Sequence, residues 1–266
     1  MARSPPVIVK LGGSVLTRKR GPARIRPKVL SRLSAEIATS PGPVVVLHGA
    51  GSFGHPGARR FGLARPPTSD PVDPKRMRGA AIVSAEVRSL HLAVLDALVS
   101  AGARPWSAPA GATARQAAGR LVELDERPYR DALDRGLAPV GFGDVVPDRD
   151  WGVSILSADT LAVVLAERLH ARRVVFVSDV PGVLGPRRPG PPAILPEVTD
   201  DLLRSLDERD SGPDVTGGIR GKVAAMLAIA RGGADAGLIS GLSDGALSRA
   251  LRGEPVYGSW AKAVVP

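Results

Sequence analysis

The stretch PVVVLHGAGSFGHP, from Pro43 to Pro56, carries the main signal for the fold. Its apolar run VVVL predicts a buried strand, and the glycines at 49, 51 and 54 predict a turn after that strand. Backbone amides in such a turn approach an anion closely because no Cβ stands in the way. His55 ends the turn and adds a donor that can carry positive charge near neutral pH. The segment therefore predicts a strand that leads into an anion-binding turn.

A second strand and turn of the same kind lie earlier in the chain, in VIVKLGGSVL from Val7 to Leu16. Lys10 interrupts the apolar run directly before Gly12, Gly13 and Ser14, where its ammonium group would meet a phosphate held by the turn. The alternative is a lysine that reaches solvent from a strand end. Neither turn reads GxxxxGK[ST] or GxGxxG, so neither alone identifies a nucleotide site.

The composition limits the class of protein. The chain has 266 residues, 44% of them hydrophobic and 3% aromatic, with no cysteine, which excludes a disulfide scaffold and a thiolate metal site. The net charge of +10 raises nucleic-acid binding as an alternative, but the arginines are dispersed and the few aromatic residues form no stacking platform. The sequence shows no signal peptide and no apolar run of membrane-spanning length, so we expect a cytoplasmic protein without a membrane partner.

Strands alternate with helices along the chain, which predicts an α/β fold with a mostly parallel sheet covered on both faces. The predicted strands are Val7–Leu11, Val44–His48, Arg104–Pro109, Leu121–Glu123, Leu137–Phe142, Arg173–Ser178 and Ala236–Ser240. The predicted helices are Pro27–Thr39, Arg78–Ala101, Tyr129–Arg135, Ser157–His170, Gly218–Arg231 and Ser243–Arg252. Gly57–Lys75 reads as a surface loop or lid, and Val180–Pro196 shows no regular pattern.

Further polar residues follow strands or open helices, where ligands of parallel sheets collect. Gly143 and Asp144 follow one strand and Asp179 follows another. Lys222 lies near a helix start after Gly217 and Gly218; it either meets phosphate or is a solvated surface lysine. Asp159, in SADT, either orients lysines or only caps its helix. His48, His91 and His170 read as structural or surface residues.

These motifs together resemble one family. VKLGGSVLTRK, HGAGSFGH, the Gly143–Asp144 pair, SADT, VSDVPGVL and DVTGGIRGK occur in the order seen in the amino acid kinase superfamily. The histidine that ends GSFGH resembles that of the isopentenyl phosphate kinases within it. The resemblance covers Val7 to about Trp260, and implies an open αβα sandwich and a homodimer.

The resemblance also implies an activity and a site. It implies transfer of the γ-phosphoryl group of ATP, with Mg²⁺, to isopentenyl phosphate. An acceptor lobe would span residues 1–170 and a nucleotide lobe residues 171–266, on one continuous sheet. The residues implied for ATP are Lys10, Gly12, Gly13, Ser14, Gly51, Asp179, Gly217, Gly218 and Lys222. Lys19 would lie near the transferred group and Asp159 would organise the lysines, while the acceptor would meet Ala50, Gly51, His55 and Ala158.

The chemistry of this reaction fits the residues present. A phosphate monoester has its second pKa near ~6, so its attacking oxygen is already ionised at neutral pH and needs no general base. The site must instead align two anions and offset their repulsion, which lysines, amides, a histidine and Mg²⁺ do.

Several residues depart from the family pattern. Ala50 and Ala158 stand where glycine is usual, and an alanine whose amide binds ligand must have a negative φ. Arg18 and Thr160 replace usual aspartates, Pro181 lies where the loop often has aspartate, and Ser240 replaces a frequent asparagine. The nearest alternative enzyme is therefore a fosfomycin kinase or another small-phosphate kinase of the superfamily, and the alternative of another class is a basic nucleic-acid-binding protein.

Overall fold

The computed structural model describes residues 4–18, 22–68, 70–185, 193–207 and 218–264. The strands are β1 Val7–Leu11, β2 Val44–His48, β3 Pro105–Ser107, β4 Ala114–Ala117, β5 Arg120–Leu124, β6 Ala138–Phe142, β7 Asp144–Asp148, β8 Gly152–Leu156, β9 Arg173–Ser178, β10 Val183–Leu184, β11 Ile194–Leu195, β12 Asp235–Ser240 and β13 Gly258–Ala261. The α-helices are α1 Gly13–Leu16, α2 Pro27–Ala38, α3 His55–Arg60, α4 Pro74–Ser100, α5 Ala110–Thr113, α6 Arg127–Asp134, α7 Ala158–Arg168, α8 Asp200–Asp207, α9 Gly218–Arg231 and α10 Ala246–Arg252.

Seven strands form the central sheet in the order β13-β12-β9-β1-β2-β6-β3. Every neighbouring pair is parallel except β12 and β13, which are antiparallel. Strands from before residue 170 and strands from after it meet at the β1–β9 pair, so the sheet is continuous across that position. The αβα fold is thus confirmed, while the assignment of one lobe to each substrate stays a prediction.

Alternate side chains of the strands pack against helices on opposite faces. Ile8 and Leu47 lie in a core with α7 and α9, whereas Val9 and Val46 lie in a second core with α2, α4 and α10. Burial on both faces explains why β1 and β2 read as continuous apolar runs rather than as alternating patterns.

The residues between β2 and the long helix were predicted wrongly. Gly57–Lys75 was expected to be a loop, but α3 occupies His55–Arg60 and α4 already begins at Pro74. Asp73 caps α4 by accepting a hydrogen bond from the Arg76 amide, and Pro74 stands at the first helical position, where a missing N–H costs nothing. Proline at a helix start was therefore mistaken for proline in a loop.

A small second sheet was also missed. It has the order β5-β4-β7-β8, with Leu121–Glu123 extended to the full strand β5. The β7–β8 hairpin contains DVVPD and follows β6 after Gly143. Asp148 holds the hairpin by accepting hydrogen bonds from the Gly119, Asp150 and Trp151 amides and from Ser154 Oγ. Strand β3 is shorter than predicted, covering only Pro105–Ser107.

Candidate functional site

The two glycine turns meet at the carboxyl edge of the sheet. The Gly49 amide donates a hydrogen bond to the Leu11 carbonyl over 2.9 Å, which joins the ends of β1 and β2. A Cβ on Gly13 would collide with the Gly51 backbone, and Gly51 has a φ of +51°. Glycine is required at both positions because the backbones touch and because Gly51 is left-handed. The predicted turns therefore form one surface.

Thr17 connects these two turns and was not predicted as a site residue. Its hydroxyl donates a hydrogen bond to the Gly13 carbonyl over 2.7 Å and accepts one from the Ser52 amide over 3.0 Å. The residue is buried, so the hydroxyl has no water to replace these partners. Thr17 thus fixes the distance between the turn after β1 and the turn after β2.

Lys10, Asp159 and Lys222 form a buried charge cluster beside the turns. Lys10 Nζ lies 2.7 Å from Asp159 Oδ1 and Lys222 Nζ lies 2.9 Å from Asp159 Oδ2. Lys222 also donates a hydrogen bond to Oδ2. The carboxylate therefore holds two ammonium groups from β1 and α9 in one place.

The charge cluster shifts the ionisation of its members. Burial and the Lys222 charge lower the pKa of Lys10 to about 8, although the Asp159 carboxylate opposes this. Burial by itself raises the pKa of Asp159, but the two ammonium groups outweigh it and hold that pKa well below its usual range. One carboxylate facing two lysines leaves a net positive charge, which suits a phosphate group.

Asp159 does not cap its helix. Ser157 is the N-cap of α7, since its hydroxyl accepts a hydrogen bond from the Thr160 amide over 3.0 Å. The carboxylate of Asp159 instead points to the lysines. The sequence left both interpretations open, and the geometry favours the one in which Asp159 positions charge.

On the other side of the first turn, Ser14 contacts Asp179. Ser14 Oγ donates a hydrogen bond to Asp179 Oδ1 over 2.6 Å, and the Gly12 amide donates to the Val177 carbonyl over 2.7 Å. These bonds attach the first turn to the end of β9. Gly218 begins α9, four residues before Lys222. The predicted ATP residues in the described part of the chain thus surround the β1 and β9 strand ends.

A cavity opens beside the charge cluster and is lined by two kinds of residue. The polar set, referred to as the polar end, comprises Lys10, Gly13, Gly49, Ala50, His55, Ser157, Ala158 and Asp159, and the lining also includes Gly54, Gly143 and Asp144. The apolar set, referred to as the apolar end, comprises Ala58, Val83, Val87, Val145, Ile155 and Leu156, of which all but Leu156 belong to one hydrophobic cluster. An amphipathic molecule with an anionic head and a short hydrocarbon tail matches this division.

Ala50 is compatible with a role in the turn. Its φ is −74° and its ψ is −25°, an ordinary conformation for alanine, so this departure from glycine causes no strain. The Ala50 amide has no hydrogen-bond acceptor among the described residues. His55 is the first residue of α3 and, like Ala50, lines the cavity.

The structure brings together most of the predicted residues but not all. Lys19 and Gly217 lie outside the described residues, so their predicted roles stay predictions. On α4, Val83 and Val87 line the cavity, whereas Ile82 is partly exposed and lines a separate surface groove. The sequence offers little indication that Thr17 belongs to the site, because a buried threonine after a short helix is usually interpreted as part of the hydrophobic core.

Asp144 was expected among the groups that face a ligand; it is one of the residues that line the cavity, and its side chain also serves the scaffold. Its carboxylate forms a two-pronged ion pair with Arg88, with both N–O distances at 3.1 Å, and accepts from the Gly111 and Val145 amides. Burial raises the pKa of Asp144 against the opposing effect of Arg88. The Asp144 side chain is fully buried. It joins α4 to the start of β7.

Comparison with known proteins agrees with this fold. The family model of the amino acid kinase family matches residues 5–239. The chain belongs to the amino acid kinase family.

Within that family the chain is similar to isopentenyl phosphate kinases. The chain is 36% identical to the isopentenyl phosphate kinase of Methanothermobacter thermautotrophicus, over 95% of this chain and 97% of that protein. A crystal structure of isopentenyl phosphate kinase superposes with a TM-score of 0.84 at 32% identity, covering 96% of this chain and 100% of the other. The product complex of the T. acidophilum isopentenyl phosphate kinase gives 0.78 at 28% identity, covering 96% and 98%.

Proposed function

We propose that this kinase transfers the γ-phosphoryl group of ATP to isopentenyl phosphate and forms isopentenyl diphosphate. The observation that carries the proposal is the cavity, which is lined both by Lys10, Ala50 and His55 and by a set of aliphatic side chains. The relatives named above support the same acceptor.

At the polar end, the groups suit two phosphates that approach each other. An oxygen of the acceptor phosphate attacks the γ-phosphorus, the bond to the β,γ-bridging oxygen breaks, and ADP leaves with that electron pair. Lys10 and Lys222 offset the negative charge in the transition state, and Asp159 keeps both ammonium groups in place. No base is needed, because the acceptor oxygen is already ionised at neutral pH.

At the apolar end, the side chains suit a short branched hydrocarbon. Val83, Val87, Val145 and Ile155 line the cavity, and their side chains consist only of hydrocarbon groups. A second carboxylate, as in acetylglutamate, or a ribose and base, as in UMP, would lose hydrogen bonds to water there without replacement. Fosfomycin has no such tail and would leave the apolar end unfilled, so it is the weaker candidate.

On the nucleotide side, we assign ATP to the surface formed by Gly12, Gly13, Ser14, Gly51 and Lys222, with Asp179 and Gly218 adjacent. Mg²⁺ would neutralise part of the triphosphate charge. Among the described residues no group of three or more histidine and carboxylate side chains is arranged to hold a metal. Mg²⁺ commonly binds through substrate phosphates and few protein ligands, so we expect it to enter with ATP.

The assembly and location follow from the proposed family role. We expect a homodimer in the cytoplasm, with residues 1–170 holding the acceptor and residues 171–266 holding ATP. Within the described ranges, none of the helices combines the length and the apolar character that a bilayer crossing requires. Light scattering after size-exclusion chromatography measures the oligomeric state.

An acceptor panel tests the proposed function. Isopentenyl phosphate, dimethylallyl phosphate, fosfomycin, acetylglutamate and UMP are each offered with Mg·ATP, and ADP release is measured beside phosphorus NMR of the product. We expect kcat/KM to be highest for isopentenyl phosphate and a diphosphate signal to form. Preference for fosfomycin, or no turnover together with salt-sensitive DNA retention, would favour the alternative functions.

A further inference from the structure

A pair of buried histidines lies beneath the turn that follows β2. His48 is the last residue of β2, His91 lies on α4, and His48 Nε2 is 3.1 Å from His91 Nδ1. His91 Nε2 lies 2.8 Å from Ser107 Oγ in β3, and His48 Nδ1 lies 3.2 Å from the Gly49 carbonyl oxygen. These contacts form one chain of hydrogen bonds from the sheet edge to the turn.

The chemistry of the chain determines where each proton is. The Gly49 carbonyl can only accept, so His48 carries its proton on Nδ1 and leaves Nε2 as an acceptor. His91 must then donate from Nδ1, and its Nε2 accepts from the Ser107 hydroxyl. Each ring holds a single proton and is neutral. This agrees with the pKa values, which burial lowers to about 3 for His48 and about 4 for His91.

The Gly49 carbonyl matters because of the amide on the other side of its peptide bond. In a trans peptide the Gly49 carbonyl and the Ala50 N–H point in opposite directions. A hydrogen bond that fixes the carbonyl toward His48 therefore fixes the Ala50 N–H away from it. Ala50 lines the polar end of the cavity, and its amide has no acceptor among the described residues.

We propose that His48 is a positioning residue, whose Nδ1–H bond to Gly49 orients the Ala50 amide toward the acceptor phosphate. His91 and Ser107 hold His48 in the required tautomer. The inference rests on the proposed function, because it assigns the acceptor phosphate to this turn. The competing interpretation is that the rings only fill the core, where Phe142 stacks on His48 with ring centroids 5.3 Å apart.

Two substitutions of His48 separate these interpretations. In His48→Asn the side-chain amide nitrogen takes the place of Nδ1 and keeps the donor to Gly49. In His48→Phe the ring and the stack on Phe142 remain, but the donor is lost. We expect His48→Phe to raise KM for isopentenyl phosphate by about fivefold to twentyfold, as the loss of one well-placed hydrogen bond does, while KM for ATP stays within about twofold. His48→Asn should recover most of that loss.

Equal KM values for the two variants, or an equal rise in KM for ATP, would overturn the inference. Nitrogen-15 NMR of the imidazoles in the parent protein at neutral pH gives a second test that needs no variant to fold. We expect His48 to carry its proton on Nδ1, and a proton on Nε2 would overturn the inference. If the parent does not phosphorylate isopentenyl phosphate, the proposed function fails. The tautomer measured by NMR still shows whether His48 donates to Gly49. The KM values of the two His48 variants are then compared for the acceptor that the acceptor panel identifies.

Discussion

Lys10 Nζ lies 2.7 Å from Asp159 Oδ1, which joins the end of β1 to the first turn of α7. The same carboxylate reaches Lys222 through its other oxygen, at 2.9 Å. The Asp159 carboxylate thus holds two ammonium groups from distant parts of the chain at the edge of one cavity. This arrangement and the turns beside it determine how substitutions should change the kinetics.

Asp159→Asn should slow the reaction while ATP binding is largely kept. The asparagine keeps the shape but no longer attracts the lysines, so their ammonium groups repel each other and leave their positions. We expect kcat to fall by roughly tenfold to a thousandfold, because preorganised charge is lost in the transition state. Steady-state kinetics and ATP calorimetry measure the two quantities. Unchanged kcat with a lowered melting temperature would reduce Asp159 to a structural role.

The pH dependence of activity should report Lys10. Since the pKa of Lys10 is lowered to about 8, the free enzyme loses this positive charge as pH rises through that value. We therefore expect kcat/KM for ATP to decline above about pH 8. The free energy of unfolding should instead rise with pH between about 8 and about 10.4. In that range the unfolded chain holds a proton that Lys10 of the folded chain has released. A flat kcat/KM profile up to pH 10 would contradict the assignment.

The histidine pair should make the fold sensitive to acid. His48 and His91 have pKa values lowered to about 3 and about 4, so the unfolded chain binds more protons than the folded one below about pH 6.5. Stability is therefore lost as pH falls from 6.5 towards 4. Each proton that only the unfolded chain binds changes the free energy of unfolding by about 1.4 kcal/mol per pH unit. The two histidines together therefore give at most twice that slope.

Urea unfolding at pH 7, 6, 5 and 4.5 measures this slope. The charged groups near the rings, Arg88 for His91 and Lys10 for His48, both oppose protonation and so act in the same direction. His48→Phe removes one titrating ring and should roughly halve the slope. A free energy of unfolding that stays constant between pH 6.5 and 4.5 would show that the rings are not buried as described.

Thr17→Val tests whether the two turns must be held together. Valine has the shape of threonine but removes the bonds to Gly13 and Ser52, whereas Thr17→Ser keeps the hydroxyl. Loss of these bonds would displace the acceptor phosphate relative to the γ-phosphate of ATP. Such a displacement lowers the rate of phosphoryl transfer more than it weakens substrate binding, so we expect kcat to fall by about tenfold to a hundredfold in the valine variant. Serine should restore most of it. Equal kcat in both variants would exclude this role for the hydroxyl.

The sequence predicted the parallel strands and the turns well because those features are local. VIVKL and VVVLH are continuous apolar runs, and the glycines that follow them mark the strand ends. The short helix His55–Arg60 was missed because two arginines and a proline in six residues resemble a loop. Strand β5 of the small second sheet was predicted in part, whereas β4, β7 and β8 were missed because they are short and partly exposed, with weak alternation of apolar residues.

The contacts of the site could be predicted only in part. Lys10 and Asp159 were paired through the resemblance to a family, since no periodicity links residues so far apart in the chain. The contact between His48 and His91 depends on how β2 packs against α4, which no local pattern reveals. The role of Thr17 was equally hidden from the sequence. It depends on a contact between two turns that only the folded chain brings together.

The most direct test of the proposed function is kcat/KM for isopentenyl phosphate in His55→Ala. His55 lies on the polar wall of the cavity beside Ala50, where we place the acceptor phosphate. A hydrogen bond to a charged group contributes about 1.5–3 kcal/mol, so kcat/KM should fall by roughly tenfold to a hundredfold. His55→Gln, which keeps a donor, should recover part of the loss, and the dissociation constant of ATP should be unchanged. An equal loss of ATP binding and acceptor use, or kcat/KM unchanged from the parent, would contradict the assignment of the acceptor to this turn.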